Sequence, residues 1–291
     1  MFKTLSGSVR DLIGKSKPPP APKIFADRYL LENKLSVDLR EGGMSIVCSA
    51  VDLKGLRSVA IKFPKPEYLN TPVAKETFAN ETSALSAIRS SNVVSFFDSG
   101  IEADHPFVVM ELVQAHILHF YSPTFLKSLS SVLELFSDVC DAVQAVHDHG
   151  FVHRDIKPAN VFVLTDRSVK LFDFGFARRM GDCSPSVVPM GGTTEFLAPE
   201  RRDPGKPPEP PVDVYSLGGV LYFMLTHRYP LTGSGDFVHL IDRHFKTDVM
   251  TEKVYHTTMR ALAERPEDRF QTAAEMKAAI RDCITALEKA A

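Results

Sequence analysis

The chain is poor in cysteine: four in 291 residues, Cys48, Cys140, Cys183 and Cys283, none near another in sequence. There is no C-x-x-C pair and no Cys/His cluster at zinc spacing, so a structural zinc site is not expected and a reducing compartment is. Excess charge of either sign is also missing. The formal net charge is −2, which excludes the global basic field that nucleic acid or an acidic polymer would require. No apolar run reaches the roughly 18 residues of a membrane span. The first residues lack the continuous apolar segment of a signal peptide, and no internal repeat is found. These absences lead us to expect a cytoplasmic chain. What is present is apolar content of 44%, enough for a substantial core and against overall disorder. The length fits one large domain or two lobes.

The composition changes along the chain. Residues 1–25 read as a tail and linker. Lys17-Pro18-Pro19-Pro20-Ala21-Pro22-Lys23 favours an extended, polyproline-like spacer. Before it, Phe2, Leu5, Val9, Leu12 and Ile13 recur at helical spacing among Lys3, Arg10 and Lys15. That pattern reads first as a frayed terminus or a helix packed on its own domain, with a basic amphipathic helix on a membrane surface or in a partner's groove as the alternative. From Arg28 to Val113 strand signals dominate, at 45–51, 58–63, 93–97 and 107–110. One helix opens at Thr71-Pro72 and buries Phe78, Leu85 and Ile88. Beyond Val113 helices take over: 130–149, closed by Gly150, with Leu133, Phe136, Val139, Cys140, Val143 and Val146 on one face; 217–226; and 273–289. A small antiparallel β lobe followed by a larger helical lobe leaves a cleft suited to a ligand.

Two stretches carry chemistry. His153-Arg154-Asp155-Ile156-Lys157-Pro158-Ala159-Asn160 places a carboxylate two residues before a lysine and five before an amide. After a gap, Asp173-Phe174-Gly175 brings a second carboxylate behind a short hydrophobic run. This set suits moving a phosphoryl group from ATP to a hydroxyl. Asp155 orients the hydroxyl and accepts its proton. Asn160 and Asp173 offer hard oxygens to Mg²⁺, which keeps most of its water and uses few protein ligands. Lys157 neutralises charge building on the transferred group.

These residues resemble the catalytic and metal loops of the protein-kinase superfamily, and Lys157 resembles its Ser/Thr branch. The resemblance extends over roughly residues 28 to 288. It implies a bilobal α+β fold, with a smaller lobe and hinge over 26–113 and a larger lobe over 114–291. It also implies ATP with Mg²⁺ or Mn²⁺, protein substrates, and dimerisation through the back of the β lobe as seen in such kinases. The segment Arg40-Glu41-Gly42-Gly43-Met44-Ser45 looks like the glycine-rich loop in its bacterial wording, with Gly42 and Gly43 at the phosphates and Arg40 in place of the first glycine. Val59-Ala60-Ile61-Lys62 matches the strand whose lysine holds the α- and β-phosphates. Glu81 is its expected partner, with Glu76 the rival by spacing. Met110-Glu111-Leu112-Val113 resembles the hinge, implying Met110 as gatekeeper and Glu111 and Val113 at the adenine edge, with Val47 and Ala60 also at the nucleotide.

Gly192-Thr193-Thr194-Glu195-Phe196-Leu197-Ala198-Pro199-Glu200 resembles the family's peptide shelf. By that likeness Thr193 bonds Asp155 and Lys157, Glu200 pairs with Arg269, and Asp213 accepts backbone N–H groups of the catalytic loop. Tyr215 stands where the family commonly has tryptophan, a residue this chain lacks. Arg154 implies a cation that receives an activation-loop phosphate, with Ser184, Ser186 and Thr194 as acceptors. The rival readings are a pseudokinase or scaffold that binds nucleotide and signals through partners, and a small-molecule kinase, which usually lacks this shelf.

Overall fold

A computed structural model describes residues 23–35, 44–102, 104–120, 128–185, 194–202, 206–230 and 251–290. The glycine-rich segment through Gly43, most of the tail, Ser186 and Thr193 lie outside the described residues.

The smaller lobe is a six-stranded sheet, in the order β1-β2-β3-β4-β6-β5. Its strands are β1 (Lys23–Phe25), β2 (Tyr29–Leu35), β3 (Ser45–Asp52), β4 (Arg57–Pro64), β5 (Phe96–Glu102) and β6 (His105–Glu111). All neighbours are antiparallel. The sheet begins at Lys23, inside the stretch expected to be linker. Helix α1 (Pro72–Ala87) starts as expected: the Thr71 hydroxyl caps Ala74 N–H, and Pro72 occupies the first turn, where an N–H has no helical partner.

The alternation of strand side chains decides what each face does. On β4 and β6, Val59, Ile61, Phe107 and Val109 join Tyr29 and Ala50 in an outer cluster. Ala60, Val108 and Met110 point the other way, into the main core with Phe78 and Leu85 of α1. Lys62 follows Ala60 by two and therefore shares the face turned toward α1.

One expectation needs correction. Residues 93–97 do not form one strand; β5 starts at Phe96. Val93 and Val94 are buried and are drawn to the other lobe instead. Val93 bridges Leu171, and Val94 N–H donates to Leu171 O at 3.0 Å. An apolar β-branched pair reads the same whether a strand or a lobe junction buries it.

In the larger lobe, α2 (Leu129–Asp148) and α3 (Pro211–Thr226) form the interior, flanked by α4 (Thr251–Ala261) and α5 (Ala273–Ala290). The six residues expected on the buried face of α2 are all fully buried. Gly150 follows the helix in the left-handed conformation, φ +78°, the usual way a chain leaves a helix C-terminus. The middle and C-terminal half of α3 are apolar on every side, and the helix is buried accordingly. Short strands β7 (His116–Ile117), β8 (Phe151–Val152), β9 (Val161–Val163), β10 (Val169–Leu171) and β11 (Arg178–Arg179) complete it. No described helix is long and apolar enough to cross a membrane.

Candidate active site

Strand pairing brings the two chemical stretches together. β8 pairs with β11, and β9 pairs with β10. The loop from β8 to β9 (153–160) and the loop from β10 to β11 (172–177) therefore emerge side by side. The first loop is anchored from below by Asp213 in the first turn of α3. Its carboxylate accepts His153 N–H and Arg154 N–H, each at 2.7 Å, and lies 3.0 Å from His147 Nε2. Burial works against this charge, but the His147 contact and the N–H groups outweigh it and lower the Asp213 pKa. Arg154 is held at φ +67°, a costly left-handed turn for a non-glycine residue that these bonds maintain.

Above the anchor, Asp155 is bonded to Lys157 Nζ and to Asn160 Nδ2, the latter at 2.9 Å, while Asn160 Nδ2 also reaches Asp155 O at 2.8 Å. With its amide nitrogen turned to Asp155, Asn160 keeps its carbonyl oxygen for another partner. Across the cleft, Lys62 Nζ lies 2.7 and 2.9 Å from the two oxygens of Glu81 and 2.9 Å from Asp173 Oδ1. Glu81, not Glu76, is thus the partner; Glu76 faces Arg154, on whose charge it acts. Burial alone would discharge Lys62, but Asp173 and then Glu81 overcome it and raise its pKa. Asp173, also opposed by burial, is lowered by Lys62 and then Lys157. Burial raises the Glu81 carboxyl, against the pull of Lys62.

Asn160 and Asp173 together make a donor set of amide oxygen and carboxylate. Two hard oxygens with no sulfur or imidazole fit a small divalent cation that takes its remaining ligands from water and phosphate.

At the hinge, Met110 is buried beside Ala60 in register, and Val47 pairs with Lys62. The Glu111 side chain has a role the sequence did not announce. Its Oε2 accepts Lys170 Nζ at 2.9 Å and both Ser95 N–H and Oγ at 3.1 Å. Burial opposes its charge, yet the Lys170 bond prevails and lowers its pKa. This clasp ties the hinge to β10 of the other lobe. The one available signal was a single lysine within the apolar strand Val169-Lys170-Leu171. Val113 is half-buried just after the hinge strand.

On the peptide side, Arg269 is buried and grips both Glu200 oxygens, at 2.7 and 2.8 Å. It also donates to the carbonyls of Ala263, Pro211 and Glu264 at 2.8, 2.9 and 2.8 Å, and its guanidinium lies 4.9 Å from the Tyr215 ring centroid. Arg201, which sequence reasoning passed over, is buried and donates to Arg154 O. Burial first, then the charges of Arg201 and Arg178, push the Arg154 pKa down to about 10. Ser184 is exposed, with its N–H on Asp182 Oδ1 at 2.9 Å; Thr194 opens the turn Thr194–Phe196.

The shifted groups give stability a pH dependence. Burial lowers the pKa of the His153 imidazole, against Asp213 and Asp155. Unfolded histidine takes a proton near about pH 6.5. The unfolded state then binds more protons than the folded one, so stability falls as pH drops through that value. Asp213 and Asp52 are lowered as well, Asp52 chiefly by its bonds to Arg28. Their contribution is present above about pH 4 and is lost as pH falls toward their folded values. The melting temperature is expected to decline from about pH 6.5 downward and more steeply below about pH 4. A melting temperature that rises between pH 7 and 5 would contradict the His153 assignment.

Comparison with known proteins identifies a family. Residues 34–288 match the family model described as protein kinase domain. The chain is 34% identical over 278 residues to the serine/threonine-protein kinase PknB of Mycobacterium tuberculosis (strain ATCC 25618 / H37Rv), covering 88% of this chain and 43% of that protein. It is 34% identical over 278 residues to PknB of Mycobacterium leprae (strain TN), with the same coverage. It is 32% identical over 276 residues to a probable serine/threonine-protein kinase PknB of Corynebacterium glutamicum, covering 88% of this chain and 42% of that protein. The chain thus spans less than half the length of these relatives.

Proposed function

Because the chain belongs to the protein kinase family, we propose that it is an active serine/threonine protein kinase, transferring the γ-phosphoryl group of Mg·ATP to protein hydroxyls. The observation that carries this reading is the pair of contact groups at the cleft: Asp155 with Lys157 and Asn160 on one loop, and Asp173 of the adjoining loop with Lys62, which Glu81 of α1 holds in turn. The smaller lobe, whose sheet begins at Lys23, and the larger lobe beyond Val113 meet at this set.

Asp155 orients the acceptor hydroxyl and takes its proton as that oxygen bonds to the γ-phosphorus, whose bond to the β,γ-bridging oxygen breaks to release ADP. Lys157, bonded to Asp155, lies where it can offset charge on the transferred group. Lys62, its rotamer held by Glu81, meets the α- and β-phosphates. Asn160 and Asp173 would hold Mg²⁺, which when bound supplies charge neutralisation at the phosphates. Met110, Glu111, Val113, Val47 and Ala60 frame the adenine end. Control through the activation loop rests on Arg154, on which the charges of Arg201 and Arg178 act, and which a phosphate on Ser184, Ser186 or Thr194 would neutralise. A reducing, ATP-containing cytoplasm suits the four free cysteines.

The test is intact-mass and phosphosite mapping of the purified chain with Mg·ATP, followed by transfer to casein. Phosphate gained on serine or threonine supports the reading. No transfer to itself or to casein, with nucleotide bound, would overturn it.

A further inference from the structure

Helix α1 does more than carry Glu81. Thr77, Asn80 and Glu81 stand at positions i, i+3 and i+4, so they share one face. That face meets the metal loop residue by residue. Glu81 reaches Asp173 through Lys62 and accepts a hydrogen bond from the Phe174 backbone. Asn80 Nδ2 donates to Gly175 O at 3.2 Å. Thr77 is pressed against Gly175 so closely that a β-carbon there would lie 2.5 Å from Thr77 Cγ2. The loop needs such fixing. Asp173 sits at φ +66°, a left-handed conformation that a non-glycine residue holds only when its surroundings over-determine it.

We infer that Asn80 is a positioning residue, which with Thr77 locks Gly175 to helix α1 and so holds Asp173 in its left-handed, cation-facing conformation. Glu81 alone does not suffice. Its tie to Asp173 runs through Lys62 and its direct backbone bond stops at Phe174, whereas Asn80 and Thr77 hold the next residue, Gly175. The lock also explains why residue 175 has no side chain. In its catalytic consequence the inference rests on the kinase reading above; in its structural content it does not.

Three variants test it. Asn80→Asp is isosteric but sets an oxygen against Gly175 O. Asn80→Ala removes the donor without repulsion. Asn80→Gln retains an amide donor. Two readouts are taken: kcat and KM for ATP, and hydrogen exchange of residues 173–177 in the ligand-free chain. Asn80→Asp is expected to lower kcat about tenfold, the scale of one lost hydrogen bond with added repulsion, while KM for ATP moves less than about threefold. Asn80→Ala falls between it and wild type, and Asn80→Gln recovers part of the loss. Exchange at 173–177 should rise in the Asp and Ala variants while β3 and β4 keep their protection. Unchanged exchange there overturns the inference, as does exchange that rises equally across the lobe. A kcat loss that only tracks a lower melting temperature, with Gln no better than Asp, also overturns it. Should the wild type transfer no phosphate, the kinase reading fails, and the exchange measurement still decides whether Asn80 locks the loop.

Discussion

Asp155→Asn is expected to lower phosphoryl transfer by about 10²–10⁴-fold, the range for losing a positioned general base. The variant keeps the side chain's shape and an oxygen for Asn160 Nδ2, but it cannot accept the hydroxyl proton. Nucleotide affinity should change little, because Lys62 and Glu81 lie on the smaller lobe and keep their contacts with each other and with Asp173. A stability cost accompanies the loss, since Lys157 is almost fully buried and its charge partner is Asp155. Adding Lys157→Met should restore melting temperature without restoring transfer. That pairing separates chemistry from folding. Single-turnover transfer within about threefold of wild type, far inside the range for a lost base, would remove Asp155 from its assigned role.

The largest stability effect is expected at Arg269. Its side chain has no solvent exposure and makes five hydrogen bonds, two of them to Glu200. Arg269→Met strands a buried carboxylate and three carbonyl groups. Breaking one side of such a pair costs about 3–5 kcal/mol, enough to move the melting temperature by on the order of 10 °C in a domain of this size. Replacing both partners, Arg269→Met with Glu200→Leu, should recover much of that loss, because no unpaired charge remains. Recovery should be incomplete, since the carbonyls of Ala263, Pro211 and Glu264 still lack their donor. Urea unfolding of the two single variants and the double variant checks this. A loss below about 1 kcal/mol for Arg269→Met would show that the buried pair has been misjudged.

Of these two predictions, only the second draws on a pair that was legible before any coordinates; the bonds of Asp155 to Lys157 and Asn160 were not. The pairing of Glu200 with Arg269, 69 residues apart, came from order and likeness to a family, not from any local pattern. Lys62 with Glu81 came the same way, and helical geometry bears on why Glu81 and not Glu76 succeeds: five residues apart, the two glutamates stand on different faces of α1. Other contacts had no local sign. Nothing in Asn80, a polar residue on a half-exposed helix position, marks it as a partner of Gly175. Glu111 reads as part of a hinge whose backbone matters, while its side chain reaches Lys170 and Ser95. The burial of Val93 and Val94 was evident, but not that the other lobe, rather than the sheet, buries them.

By itself the sequence determined what repeats along the chain or sits within one turn or loop: strand alternation that turns Lys62 inward, the Thr71 cap, the apolar length of α3, and the aspartate, lysine and asparagine of one loop. Such features depend on φ/ψ preferences and on spacing, which are local. Tertiary structure alone decided which loops emerge side by side, through the pairing of β8 with β11 and β9 with β10. It likewise decided which polar side chains cross between lobes, as Glu111 does to Lys170 and Asn80 to Gly175. Those contacts join residues 59 and 95 positions apart. Their existence depends on how two packed layers meet, which no short window of sequence encodes.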